Sequence, residues 1–160
     1  MKYNGFFILI AMLFSISVKA DVTINQLRYL LIQTEKDNVK TMEFIQKAKA
    51  CKANDSGIYQ GYYSMAKLLE CKIESNLFKK LKLFYEGRDL LEVAINKDPQ
   101  NVELRYFRYA VQKNIPEFLG YSKEMKLDKT YLQTFLASDI KTLPIDQKTL
   151  YYQIKKVLSI

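Results

Sequence analysis

The chain contains no histidine. Without imidazole it lacks the commonest general base near neutral pH, the Ser-His and Cys-His nucleophile pairs, and most zinc sites. Tryptophan is also absent, and cysteine occurs only at Cys51 and Cys71. There is no Cys-x-x-Cys pair and no phosphate-binding glycine loop. Five glycines and three prolines are few for an all-β chain with its many tight turns, so the composition favours helices. No long linker or low-complexity run divides the chain. These absences argue against an enzyme, and no cofactor or metal is expected.

What is present fits one ordinary globular domain. The 160 residues are 49% hydrophobic and 26% charged, too apolar for a disordered chain. Twelve tyrosines and nine phenylalanines supply large packing groups, and the tyrosines add a polar handle. The formal charge is +8. A basic surface suits anionic partners such as acidic polysaccharide, lipid headgroups or nucleic acid, and it equally suits plain solubility. The lysines are scattered, and Lys79, Lys80 and Lys82 form their densest group.

Residues 1–20 read as a signal peptide. Lys2 precedes the mostly apolar Phe6–Val18, which is short for a membrane span. Val18 and Ala20 put small residues where a signal peptidase reads, leaving Asp21 as the new N-terminus. No cysteine follows, so a lipid anchor is not expected; an uncleaved N-terminal anchor is the alternative. Residues 21–160 are then an exported domain, periplasmic or secreted, with no further transmembrane segment. Two of the positive charges, Lys2 and Lys19, leave with the peptide.

Helical periodicity runs through the rest. Thr23 and Gln26 have capping-box spacing ahead of Ile24, Leu27, Leu30 and Leu31. Asp37 or Asn38 opens a second helix with Val39, Met42, Ile45 and Ala48 inward. Asn54–Gly57 is a loop, and Ser56 can cap a third helix with Ile58, Tyr62, Met65, Ala66, Leu69 and Ile73 on one stripe. Ser75-Asn76 breaks it. A fourth helix is predicted from Leu77 to Lys97 and a fifth from Pro99 to Lys113, capped by Asp98. In the connector Asn114–Tyr121, Pro116 stops the fifth helix, Phe118 and Leu119 plug a core edge, and Gly120 permits a left-handed turn. Asp128 can cap a sixth helix. Pro144 and Asp146 start a last one, with Leu150, Ile154 and Val157 inward. If the second and third helices form a hairpin, Cys51 and Cys71 lie on the order of 15 Å apart, too far for a disulfide.

Gly87, Leu91, Ala94 and Pro99, at their small, large, small and turn-proline spacing, resemble the second half of a tetratricopeptide repeat. The likeness covers about 20 residues. Residues before Gly87 and the positions after Pro99 depart from the repeat's pattern. The run DPQNVELRYFR, with the later FLGY, also resembles small secreted proteins of Bacteroidetes-type bacteria. The expected fold is all-α: about six or seven helices in antiparallel hairpins, a tetratricopeptide-like stack in a single domain.

Arg105, Arg108, Tyr109 and Gln112 share the face of the fifth helix that flanks or opposes Leu104, Phe107 and Val111. The resemblance implies that the first helix of each repeat lines a concave groove, which would receive Arg105, Tyr109 and Gln112. Tyr59 and Tyr63 on the third helix are candidates for the same groove. Arginine binds carboxylates bidentately and tyrosine adds stacking area. The alternative reading gives the arginines surface ion pairs with Glu103 or Glu117 and the tyrosines core edges. The carboxylate pairs Glu70 with Glu74 and Glu35 with Asp37 read as solvated charges. The expectation is a non-catalytic interaction module binding a protein or peptide segment. A binder of a small molecule, or of an anionic envelope component such as a glycan or lipid headgroup, is the alternative. A hydrolase ranks below both, and nucleic acid is not an expected partner.

Overall fold

In the computed structural model, residues 22–159 are described. The signal-peptide reading of residues 1–20 lies outside them. Seven α-helices follow in order: α1 Ile24–Gln33, α2 Asn38–Lys49, α3 Gly57–Ile73, α4 Leu77–Lys97, α5 Val102–Asn114, α6 Met125–Leu136 and α7 Ile145–Leu158. Short 3-10 turns occupy Ala50–Ala53 and Glu117–Leu119. Among the described residues there is no strand, and no helix is long and apolar enough to cross a membrane.

Local chemistry sets most helix starts. Thr23 and Gln26 close a capping box on α1. The Asp37 carboxylate accepts from the Val39 and Lys40 amides, and the Asn76 side chain accepts from the Lys79 amide. Ser56 holds the N-cap position of α3 without a side-chain bond. The fifth helix starts later than predicted. Asn101, not Asp98, caps α5 by accepting from Glu103 and Leu104, and Asp98 instead accepts from the Asn101 side chain. The Tyr131 hydroxyl donates to the Gln100 carbonyl at 2.7 Å, which pins this turn from α6.

Three further expectations are corrected. In α2, Val39 and Met42 are exposed, and the inward face is Thr41, Phe44, Ile45 and Ala48. The Phe44 ring meets Tyr62 at 6.2 Å between centroids, so the largest side chain in the helix sets its rotation. Ile73 and Phe118 are exposed rather than packed. Asp128 is not a cap; it lies inside α6 and is fully buried. Gly120 does adopt the left-handed conformation, with φ of 63°.

Consecutive helices pack as neighbours. In addition α1 touches α3, α3 touches α5, and α5 touches α7, so each odd-numbered helix adjoins the next one. Two close approaches bring α4 and α5 tightly onto α3. A Cβ at Gly87 would meet Leu68 Cγ at 2.8 Å, and the Gly87 carbonyl there accepts from Ser64 Oγ. A Cβ at Gly61 would meet Leu104 Cδ2 at 2.2 Å, so any side chain there would force Leu104 out of its place between α3 and α5. One core gathers Leu27, Phe44, Tyr62, Leu91, Leu104 and Phe107; a second gathers Tyr109, Leu132, Leu150, Ile154 and Leu158. Helix α5 contributes to both and forms the wall between them.

Candidate functional site

The predicted site residues on α5 point in two directions. Arg108 grips Asp128 through Nε at 2.6 Å and Nη2 at 2.9 Å, and its Nη1 donates to Glu92 at 2.8 Å. Arg105 Nη1 adds a third donor to Asp128 at 2.9 Å, and its guanidinium lies 5.3 Å from the Tyr131 ring centre. The Tyr121 hydroxyl closes the cluster on Glu92. Burial alone would lower the Arg108 pKa, but Asp128 and then Glu92 outweigh it and hold the cation firmly. The Tyr121 hydroxyl is pushed up by burial and then by Glu92. Both arginines are therefore taken up in joining α6 and α4 to α5. Their partners are Asp128 and Glu92, not Glu103 or Glu117.

The other four residues are placed separately. Tyr109 is buried in the second core. Gln112 is buried, and neither of its side-chain amide atoms meets a hydrogen-bond partner. Tyr63 is buried with Lys67 over its ring at 5.9 Å, and Tyr59 packs against the first core.

A second buried ionic cluster stands on the other flank of α5. Glu103 Oε1 and Oε2 accept from Arg28 Nε and Nη2, each at 2.8 Å. The Tyr62 hydroxyl adds a bond to Oε1 at 2.6 Å. Burial, then the Glu103 charge, raises the Tyr62 pKa and keeps its proton in place. Arg28 Nη1 also reaches Asn25 at 3.1 Å. Sequence reasoning missed this cluster, although an arginine inside the apolar stripe of α1, beside Leu27 and Leu31, was a visible sign of a buried partner.

Above Arg28 runs an open groove of about 680 Å³ between α1 and α7. Its α1 wall presents Asn25, Tyr29, Ile32 and Gln33, and its α7 wall Ile145, Thr149, Tyr152 and Gln153. Tyr29 and Tyr152 are 59% and 60% exposed, so their rings are available. A smaller recess of about 360 Å³ adjoins it at the start of α5, lined by Gln100, Val102, Glu103, Gln147 and Leu150, with Arg28 shared by both. Lys156 and Glu35 pair across the helices beyond the groove.

This combination suits binding. Carboxamides from Asn25, Gln33 and Gln153 offer both donors and acceptors, and the tyrosines offer flat contact area. Among the described residues no group of three or more Cys, Asp or Glu side chains could hold a metal ion. Cys51 and Cys71 are free thiols, and burial raises the pKa of both. No family model, curated protein or solved structure matches the chain.

Proposed function

We propose that the protein is a non-catalytic exported interaction module, a degenerate tetratricopeptide-like stack that receives a protein segment in the groove between α1 and α7. The observation that carries this reading is the groove itself: an exposed tyrosine stands on each of its two walls, among the carboxamides of Asn25, Gln33 and Gln153. Peptide bonds present alternating donors and acceptors, which such carboxamides satisfy, while tyrosines bury area at little entropic cost. The contacts of α1 with α3, α3 with α5 and α5 with α7 support the stack reading, since in repeat arrays each repeat packs on its neighbour. The relation of this groove to the sequence expectation is a shift in place. Tyr29 and Tyr152 with Asn25 and Gln153 make the contacts in this reading, rather than Arg105, Arg108, Tyr109 and Gln112.

A random peptide library displayed on phage and selected against residues 21–160 tests the proposal. Enriched peptides are expected to lose about tenfold or more in affinity for the Tyr29→Ala/Tyr152→Ala variant, as for an interface anchored on aromatic side chains. Failure to enrich any peptide, or equal affinity for the folded variant, overturns it.

A further inference from the structure

We infer that the turn between α3 and α4 is a docking tip for the surface of an anionic bilayer. Ile73, Leu77 and Phe78 are 53%, 63% and 83% exposed and stand together at this one end of the helical hairpin. The turn that presents them is well held. The Glu74 carboxylate accepts from the Asn76 amide at 2.9 Å, the Asn76 side chain accepts from the Lys79 amide at 3.1 Å, and the Asn76 carbonyl accepts from Lys80 at 2.8 Å. Three large apolar side chains are thus displayed to solvent on an ordered turn.

Lysines surround them. Lys72, Lys79 and Lys82 are exposed and Lys80 is half-buried, while Glu74 is the one acidic residue between Lys72 and Lys82. The acid is engaged in holding the turn, and the Lys82 side chain stays largely exposed with Glu86 no nearer than 3.9 Å. Charge complementarity selects the occupant. Lysine is depleted at the centres of protein interfaces, whereas an anionic bilayer accepts both parts of this tip. Its acyl boundary takes the apolar side chains, and its headgroups attract each nearby lysine. Aromatic and aliphatic side chains ringed by lysine match that boundary in depth as well as charge.

The tip is separate from the groove. It lies at the far end of α3 from Gly57, whose position packs against the Ala94 carbonyl and Asp98 near the start of α5. This inference therefore stands or falls independently of the peptide-groove proposal. Together they would place a binding groove at a membrane surface.

The test is co-sedimentation of residues 21–160, which carry all seven helices, with two kinds of vesicle. One is phosphatidylcholine alone and the other a phosphatidylcholine and phosphatidylglycerol mixture. At low salt, binding to the anionic vesicles is expected to be at least about tenfold tighter, and to weaken as salt is added. Leu77→Ser/Phe78→Ser should reduce that binding by about tenfold or more, since it removes the inserted apolar area. Lys79→Gln/Lys82→Gln should lower both the binding and its salt dependence. The Tyr29→Ala/Tyr152→Ala variant should bind as wild type does. All variants change exposed residues, and their circular dichroism melts establish that they are folded. Equal binding to neutral and anionic vesicles, absence of binding by wild type, or wild-type binding by the folded tip variants overturns the inference.

Discussion

Glu103 receives Nε and Nη2 of Arg28 at 2.8 Å each, joining α1 to α5 across 75 positions of sequence. Both side chains are almost fully shielded from water. A pair this buried stabilises little relative to a well-packed apolar substitute, because desolvation offsets the attraction. Breaking one half is another matter. Glu103→Ala withdraws the bidentate carboxylate from a buried guanidinium and the acceptor from the Tyr62 hydroxyl. A loss of about 3 kcal/mol is expected in urea unfolding. A variant within about 0.5 kcal/mol of wild type would show that the cluster is not what holds α1 in place.

Asp128 gathers Arg105 and Arg108 with no exposure to solvent. Asp128→Asn keeps the shape and removes the charge, so two cations face a neutral amide. Stability should fall by about 2–4 kcal/mol, and protection from hydrogen exchange should drop first in α6. Arg105→Ala with Arg108→Ala should likewise lower the melting temperature strongly. An unchanged melt for the double variant would return these arginines to the list of binding residues.

Alkaline pH should weaken the fold through buried tyrosines. Burial, then Glu35 and Glu103, pushes the Tyr106 pKa from 10.0 up to about 12. Below pH 10.0 both folded and unfolded chains keep this proton, and its contribution is fully present. Between there and about 12 the unfolded chain releases the proton while the folded one retains it. Stability then falls with rising pH at up to about 1.4 kcal/mol per pH unit from this group. Tyr106→Phe should flatten that part of the curve when urea unfolding is followed across the window. Identical slopes for the two proteins would show that Tyr106 titrates normally in the fold.

Much of the secondary structure was legible because its causes are local. Helix α4 spans the predicted Leu77–Lys97, behind the predicted break at Ser75-Asn76, and Thr23 and Gln26 close the box that their spacing announced. The phase of α2 was not legible. Val39, Met42, Ile45 and Ala48 make one acceptable stripe, and Thr41, Phe44, Ile45 and Ala48 make another; only the presence of Tyr62 on α3 decides between them. The start of α5 was expected at Pro99 behind an Asp98 cap; Asn101 caps it instead, and the bond from Tyr131 to the Gln100 carbonyl accompanies that later start.

The candidate groove was largely hidden. Tyr29 and Tyr152 belong to the first and last helices, and nothing in either segment shows that they line one groove. Asp128 near a helix start has the local look of a cap; its burial against two arginines of α5 is a property of packing.

By itself the sequence determined an all-α chain, the positions of most of its helix breaks and most of the residues that fill its cores. Hydrogen-bonded turns, caps and apolar periodicity act over a few residues, so they can be read in order. The tertiary structure alone decided where the buried charges find partners and which surfaces stay open. Pairing Arg28 with Glu103, or bringing α7 beside α1, depends on how the helices stack, and that information is shared among residues far apart in the chain.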